Sequence, residues 1–335
     1  MDLLLHIGLP KTGTTFLQKQ FLPNLNDISC FIKPQLDLSG KNKQQTNLGE
    51  IFERSPVIWD ELGNTIFSSL DLIKKTKIIL VSDEDMGVKP NRFTHRRFEG
   101  SFWRNRSRDA IWTKLHLLRF YDLAKRSGFK TIKIMVTIRR QDRQMASFYS
   151  QESGRLVGAS QDHFERCVSF NVDPYQGYYY CGIALDYNRL YHEISQVVGS
   201  SNLLMLPFEL LEQKPFFFLE RWLKFMNIHS SNKTILENLI DQKHNVNKFA
   251  YDKWIIKERI KKKKEYTLRP ARIYKSIGIP HKISIPNFDF GRGKQIELTS
   301  DLKKQILARY QESNQKLENK VGIQLSQYGY CDIPK

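Results

Sequence analysis

The chain has 335 residues, of which 40% are hydrophobic and 12% aromatic, enough to bury a sizeable core within one α/β domain carrying insertions. The absence of any run of about 18 apolar residues argues against a membrane-spanning helix. Four scattered cysteines (Cys30, Cys167, Cys181, Cys331) have neither metal-ligand nor redox spacing, which leads us to expect reduced thiols in a cytoplasmic protein without a metal.

The net charge of +18 attracts polyanions, whether nucleic acid, anionic glycan, acidic lipid or a multiply charged nucleotide, and does not choose among them. Residues 3 to 22 read as a short apolar strand (Leu3-Leu4-Leu5-His6-Ile7), a Gly/Pro/Thr turn and a helix to Leu22. Because the strand starts at residue 3, neither a signal peptide nor an anchor is expected. A strand that feeds a helix through such a turn aims backbone N–H groups and the positive helix end at an anion. Gly8 and Gly13 have the spacing of a phosphate-binding loop, but Thr14 stands where a nucleotide triphosphatase has its lysine, and the loop's only lysine is Lys11.

After a short strand at 28–32, residues 33 to 60 read as polar and turn-rich, with 39–42 an exposed loop. A helix over 62–73 precedes the apolar strand 77–82, which ends in Asp83-Glu84-Asp85. Residues 87–107 form a basic, aromatic loop that includes Arg96, Arg97 and Trp103. A helix over 109–127 follows, with Ser107 as its cap. The strand 131–138 leads through Arg139 into a helix reaching about Glu152, which carries Ser147 eight residues beyond the arginine. An arginine fork and a hydroxyl at a strand's carboxyl end suit a second phosphate.

Further on come a helix at 187–198, a strand at 203–208 ending at Glu209, and a helix from Pro215 through Ile228. Alternating strands and helices over residues 1–228 predict a P-loop-like three-layer sandwich with a central, mostly parallel sheet. Beyond 229 the pattern predicts a helical C-terminal third, with helices near 233–241, 248–264 and 300–320 and a Pro/Gly-rich loop at 269–295. The expectation is one domain over 1–335: a nucleotide-binding core (1–228) and a helical part with a basic loop (229–335).

Pro10-Lys11-Thr12-Gly13-Thr14-Thr15 resembles the 5′-phosphosulfate loop of sulfotransferases that use PAPS (3′-phosphoadenosine 5′-phosphosulfate). The flanking residues resemble the bacterial, carbohydrate-directed branch. Residues 138–149 are similar to that family's 3′-phosphate motif, with Arg140-Gln141 where many members have Asn-Pro. The resemblance implies PAPS as co-substrate, PAP as product, no metal, and in-line transfer of a sulfuryl group to a hydroxyl or amine. Lys11 would stabilise the leaving group, and a carboxylate, Glu84 or else Asp83, would act as base.

The resemblance also implies that Phe208 lies near adenine. Arg292-Gly293-Lys294 echoes, in a different order, the family's Arg-Lys-Gly loop at the 3′-phosphate, and His244 to Lys248 resembles an Asn-rich turn of bacterial members. Six cations in the eight residues 257–264 form a solvated face by default. Together with the Arg96, Arg97 and Trp103 loop they suggest an anionic or sugar-containing acceptor, a glycan or glycolipid. The rival readings are a P-loop kinase using ATP–Mg²⁺, which lacks its lysine, and a basic nucleic-acid-binding protein, which lacks any recognition signature.

Overall fold

A computed structural model describes residues 1–25, 28–37, 45–71, 77–87, 110–156, 158–175, 185–228, 252–257 and 294–332. The strands, in chain order, are β1 (Asp2–His6), β2 (Ser29–Ile32), β3 (Gln35–Asp37), β4 (Gln45–Asn47), β5 (Ile78–Ser82), β6 (Thr131–Ile138), β7 (Leu203–Pro207), β8 (Lys253–Ile255) and β9 (Gln295–Glu297). Five of them form a parallel sheet in the order β2-β5-β1-β6-β7, while β3–β4 and β8–β9 are antiparallel ribbons. Its inner strands are apolar runs because helices flank the sheet: Leu3 to Leu5, Ile79 to Val81 and Ile134 to Val136 are all buried.

The first helix, α1 (Thr14–Phe16), continues as a π turn (Leu17–Phe21) and a 3₁₀ turn (Leu22–Asn24). The others are α2 (Leu48–Ile51), α3 (Ile58–Asp71), α4 (Ala110–Arg126), α5 (Gln141–Glu152), α6 (Gln161–Val172), α7 (Tyr187–Val198), α8 (Phe208–Gln213), α9 (Pro215–Met226) and α10 (Ser300–Val321). Helix α4 packs on α3 and α7, and α10 packs on α5, α6 and α7. Helix α9 meets β1 through Trp222, whose ring stands edge-on to His6 at 4.8 Å. Polar side chains start several helices: Asn47 accepts the Glu50 N–H at 2.9 Å, and Asp186 that of Arg189 at 3.0 Å. No helix among the described residues is long and apolar enough to cross a membrane.

Four local expectations differ from the structure. The stretch 33–60 holds β3, β4 and α2, whose short strands owe their form to pairing with each other. Phe208 and Glu209 open α8 and do not end a strand, because Pro207 has no N–H with which to extend the ladder. Helix α6 lies between the helices expected to end near 152 and to begin at 187, where no element is expected from the sequence. Residues 253–255, read as helix, form β8, where Trp254 pairs with Ile296, so that long-range pairing overrides local propensity. The loop at 39–42, the Ser107 cap, the helix near 233–241 and the turn at 244–248 lie outside the described residues.

Candidate functional site

Strand β1 is the switch point of the sheet, with β5 on one side and β6 on the other. The segments leaving β1, β5, β6 and β7 therefore emerge along one edge, where ligands of open α/β sheets bind. The loop after β1 is shaped by its own residues. Gly13 (φ 79°) and Lys11 (φ 66°) are both left-handed, a conformation that is rare for lysine. The buried Thr12 hydroxyl donates to the Leu9 carbonyl at 2.6 Å. Gly8 is required by close approach: a Cβ there would stand 2.4 Å from Thr14 Cγ2. The first N–H groups after Gly13 have no partner within the helix, as at any helix start.

Strand β5 delivers the acidic group. The Asp83 carboxylate is fully buried, accepting the Asp85 N–H (2.9 Å) on one oxygen and the Gly49 N–H (3.0 Å) on the other. Burial raises its pKa above the ordinary value, against the pull of these two donors. Glu84 points the other way. Its Oε2 accepts the Thr14 hydroxyl, which ties the acidic turn to the loop, and its Oε1 accepts Lys33 Nζ at 2.7 Å. Lys33 also has a left-handed backbone (φ 45°), and its N–H donates to the Ser82 carbonyl at 2.9 Å. Its ammonium reaches Asp85 as well, at 3.6 Å.

Strand β6 delivers Arg139. Its Nη1 donates to the Lys11 carbonyl at 3.1 Å, and its guanidinium lies over the Phe208 ring, 5.0 Å from the centroid. Its Nε is buried with no hydrogen-bond partner among the described residues. One turn further on, Gln144 donates to the Pro10 carbonyl at 2.6 Å, so the loop is stitched twice to the segment after β6. Burial lowers the Lys11 pKa, the Arg139 charge lowers it further, and the Glu84 charge opposes both. The lysine thus lies within electrostatic reach of both groups.

A buried polar chain underlies the loop. His6 Nδ1 and the Ser82 hydroxyl share a hydrogen bond of 2.8 Å, and Gln18 donates to the same hydroxyl at 3.0 Å. His6 is fully buried, its Nε2 has no partner among the described residues, and burial lowers its pKa to about 3.

Lys11, Gly13, Thr14, Glu84, Arg139 and Phe208 thus meet at one edge. Pro10 and Thr12 are buried within the loop, and Thr15 is exposed at the helix start. Ser147 is buried on α5, two turns in. The Phe208 ring packs at the loop, since a Cβ on Gly13 would lie 2.8 Å from its Cε2. Lys294 is exposed beside β9, on the ribbon against α5 and α6. Arg96, Arg97, Trp103, Arg292 and Gly293 lie outside the described residues. Sequence reasoning missed Lys33 and Gln144, whose partners lie 51 and 134 residues away and leave no local signal.

No protein-family model and no curated protein matches the sequence. Solved structures do match. The crystal structure of a sulfotransferase from Alicyclobacillus acidocaldarius matches at a TM-score of 0.51 and 11% identity, over 97% of this chain and 98% of that one. The crystal structure of mouse sulfotransferase SULT7A1 complexed with PAP matches at a TM-score of 0.39 and 10% identity, over 73% of this chain and 68% of that one. The first likeness, nearly end to end, defines the fold: a sulfotransferase-like α/β fold of the P-loop kind, with its central parallel sheet flanked by helices.

Proposed function

We propose that this chain is a PAPS-dependent sulfotransferase, a single enzyme unit of cytoplasmic type whose acceptor is an anionic or sugar-containing molecule. The observation that carries the reading is the meeting of the two expected anion sites. Arg139 bonds to the carbonyl of Lys11, which is 128 residues away in sequence, and Glu84 accepts the hydroxyl of Thr14 in the same loop. The site suits a nucleotide bearing two separate anionic groups. Loop N–H groups and Lys11 would hold the 5′-phosphosulfate, and Arg139, with a buried donor left unpaired, would hold the 3′-phosphate together with Ser147.

PAPS supplies the activated sulfuryl group, which passes in line to an acceptor hydroxyl or amine and leaves PAP. Lys11 and the N–H groups of Gly13, Thr14 and Thr15 neutralise the charge that develops on the leaving oxygen. Glu84 takes the acceptor's proton at Oε2, where the Thr14 hydroxyl gives way or shares the oxygen's second lone pair, with Lys33 fixing Oε1 in place. Asp83 serves as a brace for the turn, since it is fully buried and both its oxygens hold backbone N–H groups. The basic residues between 257 and 264, with Arg96, Arg97 and Trp103, are the acceptor side of this reading.

Thermal unfolding with PAP, with ATP–Mg²⁺ and with neither, for the wild type and Arg139→Ala, tests it. Stabilisation by PAP without metal, lost in the variant, is the expected outcome, followed by a labelled-PAPS screen of glycans. Stabilisation by ATP–Mg²⁺ alone would turn the assignment toward a kinase.

A further inference from the structure

The segment that carries Arg139 is held by residues from far along the chain. Glu209 Oε1 accepts the Arg140 N–H at 3.1 Å, and its Oε2 accepts the Tyr330 hydroxyl at 2.8 Å. The Tyr187 hydroxyl donates to the Arg139 carbonyl at 2.8 Å. Gln141 and Asn314 exchange two hydrogen bonds, at 2.8 and 3.1 Å, and Asn314 also donates to the Tyr330 carbonyl at 2.8 Å. Glu209, Gln141, Asn314 and Tyr330 are all buried. The Arg139–Arg140 peptide and the Gln141 side chain are therefore held by partners 48, 69 and 173 residues away.

The two arginines face different tasks. Arg140 is committed to Asp142 through a two-point ion pair at 2.7 and 2.8 Å, and it fills the space beside Gly329. Arg139 is stacked on Phe208 and keeps a buried Nε without a partner among the described residues. Glu209 is the buried carboxylate whose charge acts on Arg139. It is kept off the guanidinium because its two oxygens are occupied, one by the Arg140 N–H and one by the Tyr330 hydroxyl.

We infer that Tyr330 is a positioning residue of the nucleotide site: by holding Glu209 to the backbone of Arg140, it keeps Arg139 free and aimed for a 3′-phosphate. Residues near the end of the chain thereby help to set specificity for nucleotides that carry this group. The inference rests on the proposed reading of Arg139. Without the hydroxyl, a buried carboxylate oxygen loses its donor and turns to Arg139, whose charge already acts on it and which, unlike Arg140, has no carboxylate partner of its own among the described residues. The 3′-phosphate then competes with an internal anion, while the loop after β1 is untouched.

The test is calorimetric titration of PAP and of AMP, which lacks the 3′-phosphate, into the full chain and its variants. The wild type prefers PAP, and Arg139→Ala abolishes that preference. Tyr330→Phe weakens PAP by about tenfold, the size of one hydrogen bond, and leaves AMP within about twofold. Should Tyr330→Phe not fold, Glu209→Asp keeps the charge, shortens its reach and carries the same expected loss. A folded variant with unchanged PAP affinity, or one that loses PAP and AMP equally, overturns the positioning role. A wild type that does not distinguish PAP from AMP overturns instead the assignment of Arg139 itself.

Discussion

The candidate site has two ends, and they are built by different means. The loop after β1 makes its turns from its own residues, through two left-handed backbones, one internal threonine hydrogen bond and a glycine with no room for a side chain, and its neighbours Glu84, Arg139 and Gln144 then stitch it in place. The segment after β6 has little shape of its own and borrows it from Tyr187, Glu209, Asn314 and Tyr330. Damage therefore spreads differently. A change in the loop acts first where it is made, on backbone geometry and, in the proposed reading, on the group being transferred. A change around Arg139 acts at a distance, through a buried polar network in which each member is worth more satisfied than absent.

The sharpest way to separate the two ends is Lys11→Ala. If the loop holds the reacting group, turnover falls by about a hundredfold or more, as when one donor to a developing anion is removed. The affinity for PAP then changes by only a few fold, because in the proposed reading Arg139 would still hold the 3′-phosphate. Steady-state release of PAP from PAPS, with an acceptor found in the glycan screen, reads the first quantity, and calorimetry reads the second. Near wild-type turnover would move the chemistry away from the loop.

This division also explains what could be read in the sequence. The sheet was legible because β1, β5, β6 and β7 are apolar runs bounded by turns. The loop was legible because Gly8, Lys11 and Gly13 act over a few residues. Glu84 stood out because the acid cluster ends a strand. Lys33 did not, since nothing near it marks the left-handed backbone that carries its ammonium to Glu84. Tyr330 was invisible for the same reason: its partner Glu209 lies 121 residues earlier, and one aromatic residue near the end of a chain says nothing of that. Short elements formed by long-range pairing, such as β8 with β9, were lost in the same way.

Gly13→Ala tests whether the loop's shape is as local as it looks. An alanine must adopt φ 79°, and its Cβ would meet Phe208 at 2.8 Å and Leu211 at 2.9 Å. Left-handed strain together with the displaced ring costs about 2 kcal/mol of stability, measured by urea unfolding. Because Phe208 underlies Arg139, PAP affinity also falls. A stability within about 0.5 kcal/mol of wild type would mean that the loop relaxes freely and that its geometry is not fixed by Gly13.

The smallest effect, and the one that sets the two ends against each other, is the response to acid. His6, beneath the loop, titrates at about 3 in the folded chain against 6.5 ordinarily, because burial disfavours its charged form. Its neutral state contributes stability that is whole above pH 6.5 and is lost as the pH falls toward 3, since only the unfolded chain takes up the proton. Burial raises Glu209, beneath Arg139, so there the folded chain takes up its proton first and gains stability as the pH falls. The wild type reports the sum of these opposed terms, and the difference from a variant isolates one of them. Between about pH 7.5 and about pH 5.5, wild type should lose about 1.4 kcal/mol more than His6→Gln by urea unfolding. Equal losses would mean that His6 finds a proton acceptor in the fold, and that the floor of the loop is wetter than its burial indicates.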